Sequence, residues 1–269
     1  MSFFKKKVYG RTVKFWFIVL FILPGIPPLV ATVGLVIFSY FPWPISFDVN
    51  TPQLRQHQDE LILLVHGKDD SPATWSDSFA LELQQQVLDH NQQVATVDWQ
   101  KYSTNIFRCS NNGRRIGRQL GKALAMNKDL KRVHLVGHSA GSFVVYGLCE
   151  SLRHENPDVL VHTTYLDPLG VYSGMNWHFG TRNFGRCADI SDAYIDINDN
   201  VPGSNVPVEN AHTFDVSALR INDDEYTGSA HMWPIEYYRR AVLSEQLPFW
   251  APSKDVLRRY PPQQHTVVR

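Results

Sequence analysis

Apolar and polar positions divide the chain into two regimes. Residues 15–47 hold no charged residue, and residues 15–41 form an apolar run of 27 that includes Pro24, Gly25, Pro27 and Pro28. Further on, short apolar bursts alternate with helical spacing. Residues 60–66 (ELILLVH) are nearly continuously apolar and end in His66-Gly67, the pattern of a strand buried on both faces. Ser71 and Pro72 then open a helix that Phe79, Leu81, Leu83, Val87 and Leu88 carry to His90. Residues 93–99 predict a second strand. Ile116, Leu120, Ala123 and Leu124 predict a helix between 112 and 126. Residues 132–137 (RVHLVG) predict a third strand followed by a helix over 140–153, and residues 159–166 and 193–197 predict further strands. This alternation implies an α/β fold, a mostly parallel sheet with helices on both faces.

The N-terminal run is long enough for a bilayer, whose core needs roughly 20 apolar residues. Lys5, Lys6, Lys7, Arg11 and Lys14 precede it with no acid among them, and the first charge after it is Asp48. That asymmetry puts the N-terminus in the cytoplasm and the remainder outside. The chain therefore reads as a basic tail (1–14), a membrane anchor (15–41), a linker (42–59) and a folded domain (60–269). Phe41, Trp43 and Phe47, among Pro42 and Pro44, suit an interfacial aromatic belt leading into a stiff linker. The prolines leave two alternatives: a kinked re-entrant hairpin, or a signal segment whose apolar core ends at Leu23 and whose cleavage would secrete the domain. No small-residue cleavage pattern stands near residues 31–34.

Charge refines this picture. The 26 basic and 26 acidic residues of the whole chain cancel, which argues against holding nucleic acid by phosphate neutralisation. Without the five N-terminal cations, residues 15–269 carry a net charge of −5. With 43% hydrophobic residues there is a core to bury. Cys109, Cys149 and Cys187 have no metal-ligand spacing. An extracytoplasmic domain permits one disulfide; Cys149 lies in an apolar helical stretch, so Cys109 with Cys187 is the expected pair.

Candidate chemistry centres on Gly137-His138-Ser139-Ala140-Gly141, a G-x-S-x-G between a predicted strand and helix. In that context the serine sits on a sharp turn at the sheet edge, where neighbouring glycines allow close backbone reversal. A serine hydroxyl needs an imidazole base, which in turn needs a carboxylate. Asp167 follows the next strand and is the first candidate acid, with Asp196 and Asp199 as alternatives. Among 11 histidines, His231 stands just before the last helix pattern and is the candidate base; His212 is the alternative. The oxyanion donors are expected to be the amides of Ala140 and, after His66-Gly67, Lys68. His66 reads as an orienting residue.

Residues 60 to about 245 resemble the lipase/esterase branch of the α/β-hydrolases, most closely the pancreatic-type lipases. The resemblance rests on Leu64-Val65-His66-Gly67, Val97-Asp98-Trp99, Val136 to Gly141, Tyr165-Leu166-Asp167-Pro168, and His231 with Tyr237 and Tyr238. It implies an α/β-hydrolase fold and adds a reason to prefer Asp167 as the acid. Lys68 departs from the apolar residue such lipases tend to carry, and residues 169–187 could form a lid or wall. The resulting expectation is a membrane-anchored serine hydrolase with the triad Ser139, Asp167 and His231, acting on a small-molecule or lipid ester and needing no metal or cofactor. Acyl transfer, thioester or peptide cleavage, and a non-catalytic tethered binding module are the alternatives.

Overall fold

The computed structural model describes residues 3–47, 54, 58–244 and 263–268, and it divides into two compact units, Met1–Trp43 and Pro44–Arg269. In the first, β1 (Lys7–Val8) and β2 (Arg11–Thr12) form an antiparallel hairpin whose turn residues Tyr9 and Gly10 have φ of 47° and 73°. Thr12 Oγ1 accepts from the Phe15 amide at 3.2 Å and caps the helix that follows. That helix runs over Val13–Tyr40, 28 residues, as α1 (Val13–Phe17), a π-helical turn (Ile18–Ile22) and α2 (Leu23–Tyr40). Its side chains are almost all exposed.

The prolines do not end the helix, because Pro24 falls in the first turn after the π-helical segment and Pro27 and Pro28 are carried inside α2. At 1.5 Å per residue the helix is about 42 Å long, more than the roughly 30 Å of a bilayer core. By length and composition it can cross a membrane or serve as a signal anchor.

The second unit is built on seven strands: β3 (Glu60–Val65), β4 (Gln92–Val97), β5 (Arg132–His138), β6 (Leu160–Leu166), β7 (Ile190–Ile195), β8 (His212–Asp215) and β9 (His265–Val267). They lie in the order β4-β3-β5-β6-β7-β8-β9, every pair parallel. The helices are α3 (Ser76–Gln86), α4 (Gln100–Ser103), α5 (Cys109–Ala125), α6 (Gly141–Glu155), α7 (Phe179–Asn183), α8 (Ser217–Ile221) and α9 (Trp233–Leu243). Alternation along β3 explains why both faces are covered. Leu61, Leu63 and Val65 pack into a cluster with α5 and α6, while Ile62 and Leu64 pack into a second cluster with α3 and α9.

Several boundaries differ from the sequence expectation. The helix expected to reach His90 stops at Gln86, and the strand expected over 193–197 spans Ile190–Ile195, which moves Asp196 out of the strand and into the following loop. Strand β8 lies in the strand-like surroundings of His212, whereas β9 was not predicted; its residues are exposed on the sheet edge, so no apolar pattern marked them. Phe47 packs against Tyr102 at 6.2 Å rather than standing in an aromatic belt, and Tyr102 donates to the Ser46 carbonyl at 2.6 Å. The start of the expected linker is thus attached to the second unit; residues 48–53 and 55–57 lie outside the described residues.

The disulfide also differs. Cys149, on α6, pairs with Cys187 beyond α7, with Cα atoms 5.8 Å apart, and the expected Cys109–Cys187 pair does not form. Cys109 begins α5 fully buried, and burial pushes its thiol up to about 11. Alkylation of denatured, unreduced protein should modify Cys109 alone; a label on Cys149 or Cys187 would refute the pairing. Cys187→Ala should cost about 2–4 kcal/mol in denaturant unfolding, the usual worth of such a cross-link.

Candidate active site

The carboxyl ends of β5, β6 and β7 and the loop before α9 meet at one edge of the sheet. Ser139 lies between β5 and α6 with φ of 51°, in the left-handed region that non-glycine residues seldom adopt. Its amide donates to the Leu166 carbonyl at 3.0 Å and its carbonyl accepts from the Leu169 amide at 3.1 Å. The turn is therefore tied to the end of β6 and to the segment that follows it. Gly141 makes the approach possible, since a Cβ there would lie 2.5 Å from the His66 carbonyl oxygen and 2.6 Å from that of Val65. On the opposite wall, a Cβ on Gly67 would come within 3.1 Å of Ser139 Cβ. The loop carrying Lys68 consequently lies directly against the serine turn, and Ala140 follows the serine fully buried.

His66 is held rather than free to act as a second base. Its Nδ1 donates to the Gly67 carbonyl at 2.9 Å and its Nε2 accepts from the Trp99 amide at 3.2 Å. The carbonyl can only accept, which fixes the tautomer.

His231 precedes α9 with Nδ1 2.8 Å from Asp167 Oδ2 and 3.0 Å from Asp199 Oδ2. Asp167, itself at φ 44° and fully buried, also accepts from the Asp196 amide at 3.0 Å. Asp199 accepts from Ser204 Oγ at 2.5 Å and from the Val201 amide at 3.2 Å. With Nδ1 engaged, Nε2 is the nitrogen left for Ser139, which lines the same cavity as His231. Carboxylate oxygens within 4.8 Å of one another repel by about 3 kcal/mol at an effective dielectric of 20 if both are ionised. Burial pushes Asp167 up to about 8, against its hydrogen bond to His231. Burial would raise Asp199 too, but hydrogen bonds from His231 and Ser204 hold it well below the usual carboxylate range. For His231, burial opposes the charged form, yet the hydrogen bonds from Nδ1 to the Asp167 and Asp199 side chains outweigh it and carry the imidazole up to about 9.

These three side chains bring potential metal-ligand atoms together, but 2.8 and 3.0 Å are hydrogen-bond spacings. Two ligands of a tetrahedral zinc at about 2.05 Å would stand about 3.3 Å apart. A shared proton accounts for the geometry.

The other candidates fall elsewhere. The Asp196 carboxylate is taken by Arg220 Nε at 2.5 Å, so Asp196 contributes its amide rather than an acid. His212 opens β8 and pairs in register with Asp192, at the amino end of the strands and away from the edge that carries Ser139. It stacks on Phe214 at 4.3 Å and bonds Thr266 Oγ1 at 2.9 Å. His138, inside the pentapeptide, went unnoticed in the sequence. Its Nε2 donates to the His231 carbonyl at 3.1 Å and its ring lies 4.6 Å from that of His231. Burial lowers it to about 3, so it is a neutral brace for the His231 backbone.

The cavity shared by Ser139 and His231 is about 470 Å³, within the roughly 300–1,000 Å³ of small-molecule sites. Apart from those two, Lys68 and Gly174, its lining is apolar, including Phe107, Leu169, Val171, Trp177 and Val201. Lys68 Nζ pairs with Asp69. Residues 169–187 form a wall fastened by aromatic packing, with Tyr172 stacked on Phe179 at 4.6 Å, Phe184 on Tyr165 at 4.9 Å, and the disulfide behind.

A parallel sheet with helices on both faces, a serine turn after β5 and a histidine just before α9 make an α/β architecture of the kind that the sequence resemblance implies. Neither a protein-family model nor a curated protein matches the chain. An extracellular α/β-hydrolase from a Paenibacillus species is similar at 23% identity over 40% of this chain and 40% of its own, with a TM-score of 0.26. RedJ, a thioesterase of prodiginine biosynthesis in Streptomyces coelicolor, is similar at 14% identity over 48% and 46%, with a TM-score of 0.31. The type II thioesterase YbtT of yersiniabactin biosynthesis is similar at 10% identity over 72% and 94%, with a TM-score of 0.40. The chain spans under half the length of the first two. The narrower likeness to pancreatic-type lipases rests on sequence motifs alone.

Gly141→Ala should force the serine turn away from β3, destabilising the domain by about 1–3 kcal/mol in thermal unfolding and slowing fluorophosphonate labelling of Ser139 in the folded variant.

Proposed function

We propose that the protein is a serine hydrolase of the esterase type that cleaves a carboxylic ester with an apolar acyl part. The observation that carries this reading is Ser139 on a φ 51° turn, lining one apolar cavity with a histidine whose far nitrogen is held by carboxylates. Ser139 Oγ attacks the acyl carbonyl while His231 Nε2 removes its proton. The Lys68 and Ala140 amides receive the oxyanion. His231 returns the proton to the leaving alcohol, and water activated by the same nitrogen hydrolyses the acyl-enzyme.

The helix over Val13–Tyr40 anchors the enzyme with the N-terminal cations in the cytoplasm and the catalytic unit outside. Two features support this topology: the one-sided charge of residues 1–14 and the Cys149–Cys187 disulfide, a cross-link that persists in oxidising compartments.

Ser139→Ala should lower hydrolysis of p-nitrophenyl butyrate by about a thousandfold or more with an unchanged melting curve; retained activity would overturn the assignment. Because the imidazole must be neutral to accept the proton and its carboxylates raise its pKa, kcat/KM should fall with decreasing pH along a limb lying above the ordinary histidine value of about 6.5. A membrane-impermeant fluorophosphonate should label Ser139 on intact cells, and labelling only after lysis would reverse the topology.

A further inference from the structure

We infer that Asp199 is the ionised carboxylate that works with His231, and that Asp167 stands beside it as a neutral acid donating a hydrogen bond to Asp199. The inference deepens the serine-hydrolase reading and rests on it for its catalytic consequence. Nδ1 carries one hydrogen, yet two carboxylate oxygens approach it at 2.8 and 3.0 Å. Ionised carboxylates only accept, so two anions on one N–H would leave each poorly satisfied and set like charges side by side in a buried site. One of the pair keeps a proton.

Donor count and burial decide which. Asp199 Oδ2 receives the Val201 amide at 3.2 Å besides His231, and lies 2.5 Å from Ser204 Oγ, whose one proton is shared between Asp199 and the Val201 carbonyl at 2.7 Å. Such a set of donors favours the charged form. Asp167 receives one backbone amide, from Asp196, and no water reaches it: it is 0% exposed against 7% for Asp199.

The neighbouring cations do not alter the balance. Arg220 is taken by Asp196 and Lys68 by Asp69, and among the described residues the only ion-pair partner of Asp167 is His231. His138, packed on the base, is neutral and donates to the His231 carbonyl. The directions of the two acids agree, Asp167 raised by burial and Asp199 lowered by its donors.

The proton movements balance without Asp167 changing state. The Ser139 proton passes to Nε2, the imidazolium faces the Asp199 anion across Nδ1–H, and the proton leaves with the alcohol. Asp167 keeps its own proton throughout and acts as a positioning residue, holding the Asp199 carboxylate where the base needs it. Asp199 likewise acts through His231 rather than on substrate.

The test compares Asp167→Asn with Asp199→Asn in purified full-length protein, reading kcat/KM for p-nitrophenyl butyrate against pH. An Asn at 167 keeps a neutral donor, so kcat/KM should fall only about tenfold and the acid limb should stay in place. An Asn at 199 removes the counter-charge: kcat/KM should fall about a hundredfold or more and the limb should move to lower pH by about one unit or more. Infrared spectra give a readout that needs no turnover. At pH 7 the wild-type protein should show a protonated carboxylic acid band that Asp167→Asn removes.

The proposal is overturned if the limb moves with Asp167→Asn and not with Asp199→Asn, if both move it equally, or if the wild type lacks the band. A wild type that hydrolyses no ester but shows the band, lost in Asp167→Asn, would sink the esterase reading and leave the charge assignment standing.

Discussion

The close approach of the serine turn to the loop after β3 is the constraint on which the rest of the site depends. Backbone carbonyls of Val65 and His66 stand where any side chain at position 141 would lie, and Ser139 takes a left-handed backbone to reach the sheet edge. Such a conformation persists only when its surroundings over-determine it. Here the Ser139 amide is tied to β6 through Leu166, its carbonyl is tied to Leu169, and α6 runs away beneath it into the α5–α6 core. The same contacts hold the Lys68 loop directly against the serine turn.

Around that fixed point the site separates charge from apolar surface. Asp167, Asp199 and His231 lie on one side, hydrogen-bonded to one another, to backbone amides and to Ser204. On the other side the cavity is walled by residues 169–177 and by Ile106 and Phe107. The wall belongs to the core as much as to the pocket. Phe179 and Phe184 pack on Phe143 of the helix that follows the serine, and the Cys149–Cys187 bond joins the same two segments. The shape of the cavity is therefore set by packing that also holds the helix after Ser139, and change in one is felt in the other.

Much of this was legible in the chain, for identifiable reasons. Strands buried on both faces are nearly continuous in apolar residues, so β3, β5 and β6 stood out. The pentapeptide at 137–141 is local, and a strand before it and a helix after it are also local; Ser139 could be read without knowing any long-range contact. Asp167 and His231 were singled out through chain order, and their side chains meet at 2.8 Å. Weakly patterned elements were harder: β9 has exposed residues only, and Asp196 was placed in a strand because the run of 193–197 looks extended in isolation. Cys149 was read as a plain buried thiol since its apolar helix context says nothing about what lies across from it.

The sequence by itself determined the alternation of strands and helices, the long apolar N-terminal helix with its one-sided charge, and the serine on its turn, because each depends on residues near one another in the chain. Only the tertiary structure decided that Asp167 and Asp199, from the ends of two adjacent strands, meet on a single imidazole nitrogen while Asp196 between them turns to Arg220. It likewise decided that Cys187 finds Cys149, and that His138 braces the His231 backbone. Those choices follow from strand order and from where each chain segment leaves the sheet, and residue spacing along the chain carries no record of either.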